Sequence, residues 1–130
     1  MEIRYFDPNE DLSILNNWLV LHKAPEVVLS DLPKLGWVVS DEGTMLCMGF
    51  LRLVEGNYAI CDSLATNPEI SARKRAEAFD KVTERLVKAA KDLKIKHLIA
   101  FTTKTGVEKR SARQHGFKKT EQTVLVKEVC

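Results

Sequence analysis

Apolar and polar residues alternate over Glu2-Ile3-Arg4-Tyr5-Phe6, the period of a short opening strand. Asp7-Pro8-Asn9 then breaks the pattern as a turn, with Asn9 or Asp11 available to cap the next element. Leu12, Leu15, Trp18, Leu19 and Leu21 or His22 recur at helical spacing, which predicts an amphipathic helix over 10–22. Pro25 and Pro33 bracket VVLSDL, a short second helix or a loop. Three β-type runs come next, LGWVVSD (35–41), TMLCMGFLRLVE (44–55) and NYAICDSLAT (57–66). Asp41-Glu42-Gly43 and Glu55-Gly56-Asn57 separate them as hairpin turns, so the middle of the chain reads as an antiparallel meander.

The period then lengthens. Phe79, Val82, Leu86, Val87, Ala90 and Leu93 form an apolar stripe that predicts a long helix over 70–94. HLIAFTT (97–103) is almost wholly apolar, as a strand buried on both faces is. VEKRSARQ (107–114) predicts a short helix that Gly116 closes in the left-handed conformation. KKTEQTVLVKEV (118–129) reads as a closing strand, with Gln122, Val124 and Val126 on one face and Thr123, Leu125 and Lys127 on the other. The helix over 70–94 is a crossover of the length a parallel strand pair requires. The expected fold is therefore α/β (α+β), a single domain over 1–130 with a mixed sheet, helices on both faces, and its parallel pair flanking that helix.

Composition agrees with an ordinary globular domain, 45% hydrophobic and 29% charged over 130 residues. No apolar run approaches the roughly 18 residues of a membrane helix. The acidic start MEIRYFDPNED has no signal-peptide h-region, so the expected location is the cytoplasm, with no membrane partner. Cys47, Cys61 and Cys130 form neither an even disulfide framework nor a close metal-ligand set, and no metal is expected. Charge changes the picture more. Residues 1–70 hold four cations against eleven acids, net −7, whereas residues 71–130 hold sixteen cations against seven acids, net +9. A domain divided in this way presents opposite fields to two ligands, unless the halves interleave in space. The aromatic residues do not interleave with the cations in a stacking pattern, which argues against nucleic acid as the partner.

The most informative stretch is SLATNPEISARKRAEAF (63–79), where a β-type run meets Asn-Pro-Glu and then Arg73, Lys74 and Arg75 at the start of a helix. A helix N-terminus already carries partial positive charge, so cations there meet an anion or lie on a solvated face at a small cost. Free amides, the helix dipole and the three side chains would together bind a phosphate.

SLATNPEIS (63–71) resembles the strand-end signature of the GNAT (GCN5-related N-acetyltransferase) superfamily, which leads into an acyl-CoA pyrophosphate loop. ARQHGFKKTE (112–121) resembles the same family's late helix and Gly-Phe-Lys turn. The order and spacing of the elements resemble the family's over essentially the whole chain. The resemblance implies a mostly antiparallel sheet of six to seven strands and an acetyl-CoA-dependent N-acyltransferase acting on an amine. It implies acetyl-CoA contacts at Leu64, Ala65 and Thr66 from a splayed strand end, and at Ser71, Arg73, Lys74, Arg75 and Ala76 from the loop and helix. Ser111 and nearby Arg110 would face the cofactor from the late helix, and Asp62 would take the amine's proton through water. Glu26, Asp31, Asp41, Glu42 or Glu55, on the acidic side, would favour a cationic acceptor.

Two departures accompany the resemblance. No glycine lies between Gly56 and Gly106, so the loop motif falls either on Ser71-x-x-Lys74-x-Ala76 or on Arg73-x-x-Ala76-x-Ala78. Ala112 stands where many members carry a tyrosine acid. The alternative expectation is accordingly a catalytically inactive GNAT-like domain, a binding or structural module in a larger assembly, as a homodimer or with a protein partner.

Overall fold

A computed structural model describes residues 1–130. The elements are β1 (Glu2–Tyr5), α1 (Pro8–Leu21), a 3-10 turn (Leu29–Asp31), β2 (Leu35–Asp41), β3 (Thr44–Leu53), β4 (Tyr58–Thr66), α2 (Ala72–Asp92), β5 (His97–Ala100) and α3 (Thr105–His115). The five strands form one sheet in the order β1-β2-β3-β4-β5. Every pair is antiparallel except β4 and β5, which run parallel on either side of α2 as the crossover length requires.

Local chemistry sets the boundaries. The cap of α1 is Asp7, not Asn9 or Asp11: its side chain accepts the Asn9 amide at 3.0 Å, and Pro8 follows at the first helical position. Asp11 instead points inward, fully buried, where it accepts two hydrogen bonds from the Arg4 guanidinium (2.7 and 2.9 Å) and one from the Asp7 amide (2.8 Å). The hairpin between β2 and β3 turns on Glu42 (φ 49°) and Gly43 (φ 83°), the two positive-φ positions of a tight turn that matches the twist of its strands. VVLSDL contributes only the single 3-10 turn. Gly116 ends α3 in the left-handed region at φ 73°.

Side chains alternate across the sheet into two cores. Trp37, Val39, Leu51 and Ala59 face Ala78, Val82, Leu86 and Ala89 of α2. Val38, Met48, Phe50 and Ala65 face Leu15 and Trp18 of α1. Burial on both faces explains why β2 and β3 read as continuous apolar runs.

Four expectations need correction. The buried stripe of α2 is Ala78, Val82, Thr83, Leu86, Ala89 and Ala90; Phe79 and Val87 are only partly covered, and Leu93 is exposed because the helix has ended at Asp92. The sheet has five strands, not six to seven. Residues 118–129 form no strand, for no neighbouring edge completes their backbone hydrogen bonds, and Leu125 and Val126 are each 90% exposed. As a result β5 is an edge strand. It stops at Ala100 instead of continuing to 103, and only Leu98 packs on the α2 core while Ile99 and Phe101 face solvent.

No helix is long and apolar enough to cross a membrane. No group of three or more His, Cys, Asp or Glu side chains is placed to hold a metal ion.

Candidate functional site

The parallel pair comes apart at one end. β4 and β5 are bonded only from Tyr58↔His97 to Cys61↔Ala100, yet β4 runs on to Thr66. Its last residues therefore keep their β3 neighbour and have none on the other side. The cause of this divergence lies in β4 itself. The β3–β4 register jumps from Phe50↔Asp62 to Met48↔Ala65, so Ser63 and Leu64 both lie opposite Gly49, and Ser63 takes φ 50°. Such a bulge bends its strand and raises the local twist. Gly49 makes room for it: a Cβ there would lie 3.0 Å from Val82 and 3.4 Å from Leu64.

Backbone direction is set by the same stretch. The Asn67 amide bonds Leu46 O on β3 at 2.9 Å, so the amide and carbonyl of Thr66 point to the opposite, open edge. The Thr66 carbonyl is already occupied, since His22 at the end of α1 donates to it from Nε2 at 2.8 Å. The Thr66 amide beside it is free. The side chains do less: Ala65 is buried against α1 and Leu64 packs on α2.

The turn from β4 to α2 is held by its own residues. Asn67 donates from its side-chain amide to Met45 O (3.0 Å) and accepts the Glu69 amide (2.9 Å). Ser71 caps α2, accepting the Lys74 amide at 3.2 Å. Arg75 reaches back and donates to Pro68 O (3.2 Å) and Ile70 O (3.1 Å), so its guanidinium neutralises loop carbonyls. Lys74 pairs with Asp41 at 3.1 Å, and exposed Arg73 pairs with Glu77 at 3.3 Å. Each of the three cations thus has a partner, and at Lys74 the acidic and basic halves of the sequence interleave. The Ala72 and Arg73 amides at the helix tip find no acceptor within the chain. Ala76 sits on the first turn, half-buried.

Asp62 pairs with Arg52 (2.5 Å) and accepts the Ser63 hydroxyl (3.2 Å); the other end of Arg52 donates to Asp31 O. Arg110 of α3 is paired with α2. It donates to Asp80 from Nε (2.8 Å) and Nη2, and His115 donates to the same carboxylate at 2.9 Å. Arg110's hydrogen bonds, helped by those of His115, outweigh partial burial and hold the Asp80 carboxyl below the usual carboxylate range. Ser111 is half-buried and its carbonyl accepts the Gly116 and Phe117 amides, closing α3; Ala112 is exposed. A recess lined by Glu84, Lys88, Lys91, Gln114 and His115 lies between α2 and α3, away from the β4 end.

The structure thus brings Thr66, Ser71, Arg73, Lys74 and Arg75 to one end of the sheet, commits Asp62 and Arg110 to ion pairs, and adds His22. Nothing in the sequence near His22 announces its contact, because the bond spans 44 residues.

No protein-family model matches the sequence, and no curated protein does. Solved structures do match. Rv2747 from Mycobacterium tuberculosis, in complex with CoA and NLQ, superposes with TM-score 0.74 at 18% identity, over 97% of this chain and 76% of that one. A predicted acetyltransferase from Clostridium acetobutylicum, with acetyl-CoA, superposes with TM-score 0.66 at 14% identity, over 97% and 95%. The aminoglycoside antibiotic 6'-N-acetyltransferase of Acinetobacter haemolyticus, without ligand, gives 0.65 at 15%, over 100% and 99%. Identity this low speaks to architecture, and with β4 and β5 parting beside the start of α2 the architecture of this chain is the GNAT fold.

Proposed function

We propose that this chain is an acetyl-CoA-dependent N-acyltransferase that transfers an acetyl group to an amine. The observation that carries the reading is the free Thr66 amide on the open edge of β4, together with the unpartnered amides at the tip of α2. A thioester needs its pyrophosphate held and its carbonyl polarised. The Ala72 and Arg73 amides, Ser71 and the Arg73 and Lys74 side chains suit the first task. Arg75 keeps the loop in shape, and Ala76 sets how closely the loop backbone approaches. The Leu64–Thr66 backbone suits the second task, with the Thr66 amide aimed at the carbonyl oxygen. Ser111 completes the cofactor side from α3. CoA and acetyl-CoA in the Mycobacterium and Clostridium structures support the ligand class.

In the reaction the amine attacks the thioester carbon, a C–N bond forms, the C–S bond breaks, and the departing thiolate takes up a proton. The amine proton leaves through water to Asp62, whose Arg52 partner must yield part of its hold. A second reading, a non-catalytic binding module, draws on that same ion pair and on Ala112, which supplies no acid. Thermal unfolding with acetyl-CoA, using ADP as a weaker control, separates the two. Saturation at about 100 times Kd stabilises by roughly 2.7 kcal/mol, a rise of several degrees in Tm. Arg73→Gln with Lys74→Gln removes the shift and lowers the unliganded Tm only slightly, since both are surface ion pairs. No shift at millimolar acetyl-CoA would rule out the transferase.

A further inference from the structure

We propose that two copies of this chain exchange their C-terminal segments, residues 121–129 of each adding as a strand to the free edge of β5 in the other. Donor and acceptor stand open together in the single chain. β5 is bonded on one side only, to β4, and its other edge offers unpaired backbone groups flanked by Ile99 (37% exposed) and Phe101 (62%). Beyond Phe117 the chain forms no backbone hydrogen bond, and Val124, Leu125, Val126 and Val129 are 60–90% exposed. An apolar β-type segment and an apolar sheet edge left facing water are the two halves of a strand addition. The chain does not close on itself. Lys119 holds the root of the segment against Glu108 on α3 at 3.5 Å, and the rest lies free.

One antiparallel register satisfies pattern and charge together. Setting Leu125 opposite Ile99 puts Val126 opposite Leu98 and Val124 opposite Ala100. By the two-residue period, Val124 and Val126 then join Leu98 on the α2 face, and Leu125 joins Ile99 and Phe101 on the other. The same register sets Glu128 opposite Lys96, an opposite-charge pair. Sliding the segment by one residue places Lys127 against Lys96 and moves its apolar residues to the wrong faces. Because each copy is both donor and acceptor, the exchange closes as a two-fold dimer.

Light scattering coupled to size exclusion should give twice the 14.7 kDa chain mass at micromolar concentration. Val124→Pro with Val126→Pro should return it to the monomer, since proline cannot donate to the ladder. Both positions are exposed in the single chain, so its Tm on dilution should not change. Lys96→Cys with Glu128→Cys, in a Cys130→Ser background, should form a disulfide that runs at dimer mass on a non-reducing gel. A monomer at all concentrations, or a disulfide formed only within one chain, overturns the proposal in favour of a segment that folds back on its own β5. A dimer that survives both prolines overturns it too, because another surface then joins the copies.

Discussion

Gly36→Ala tests the packing between β2 and β3 most sharply. Gly36 lies opposite Phe50 in the ladder, and a Cβ there would come within 2.3 Å of two Phe50 ring carbons and 3.2 Å of the Phe6 Cβ. Carbon atoms in contact sit about 3.5–4.0 Å apart, so the ring must retreat by more than about 1 Å. It has nowhere to go: Phe50 is fully buried, and Phe6 meets its ring edge-on at 4.8 Å between centroids. Overpacking of this kind costs about 1–3 kcal/mol, and a methyl wedged between paired strands belongs at the top of that range. Alanine returns about 0.4–1 kcal/mol by restricting the unfolded chain, leaving a net loss of about 2–2.6 kcal/mol. Tm should fall by roughly 6–15 °C in a domain of this size. Urea unfolding of Gly36→Ala, Phe50→Leu and the double variant measures it. The double variant should be more stable than the sum of the singles by at least about 1 kcal/mol, since the smaller side chain admits the methyl. A Gly36→Ala loss below about 0.5 kcal/mol, or strict additivity with Phe50→Leu, would refute the steric reasoning.

Arg4→Ala should cost more than Asp11→Ala at neutral pH, the first about 1–3 kcal/mol by denaturant unfolding, because it leaves the Asp11 carboxylate with only the Asp7 amide whereas Arg4 is partly exposed and can hydrate. Burial raises the Asp11 carboxyl, but the Arg4 hydrogen bonds, the Asp7 amide and the Arg4 charge overcome it and leave the group below its ordinary value. Its stabilisation is therefore complete above about pH 4 and is lost as pH falls through the folded value, so acid titration of stability should flatten in Asp11→Ala. Asp80 titrates in the same sense: Asp80→Asn should lower the exchange protection of α3 at neutral pH by about 1 kcal/mol or less, given its exposure, with little difference from wild type below the folded pKa. Arg75→Ala should weaken acetyl-CoA binding about tenfold, seen as a smaller thermal shift, by releasing the 68–70 carbonyls that shape the loop.

Most of the fold is legible in the sequence because local chemistry agrees with it. The bounds of β2 come from an apolar run that meets Asp-Glu-Gly, a turn whose positive-φ residues admit no continuation of the strand. Gly116 announces the end of α3 in the same way. The closing segment misleads because a strand is a property of two edges, and period-two patterning describes only one of them. Site chemistry is harder to read for a related reason. Arg73, Lys74 and Arg75 look alike in sequence, but their partners lie respectively one turn on, across a hairpin and back along the loop. Arg110 pairs with Asp80, thirty residues away in the chain, which no local pattern announces. The bend at Ser63 has no sequence signal at all, since serine is not a residue that normally seeks positive φ.

The point where β4 and β5 part also has a kinetic meaning. Cys61, the last β4 residue bonded to β5, has its thiol pushed up to about 12 by burial and by the Asp62 charge, whereas exposed Cys130 is solvent-facing. Only four ladder positions hold β5 to the sheet, so β5 with α3 opens more easily than the central strands β2–β4, short of global unfolding. Each such opening bares Cys61 and lets its proton go. After Cys130 is blocked, the rate at which a thiol reagent reaches Cys61 becomes a clock for that opening, and whatever covers the outer edge of β5 should slow it.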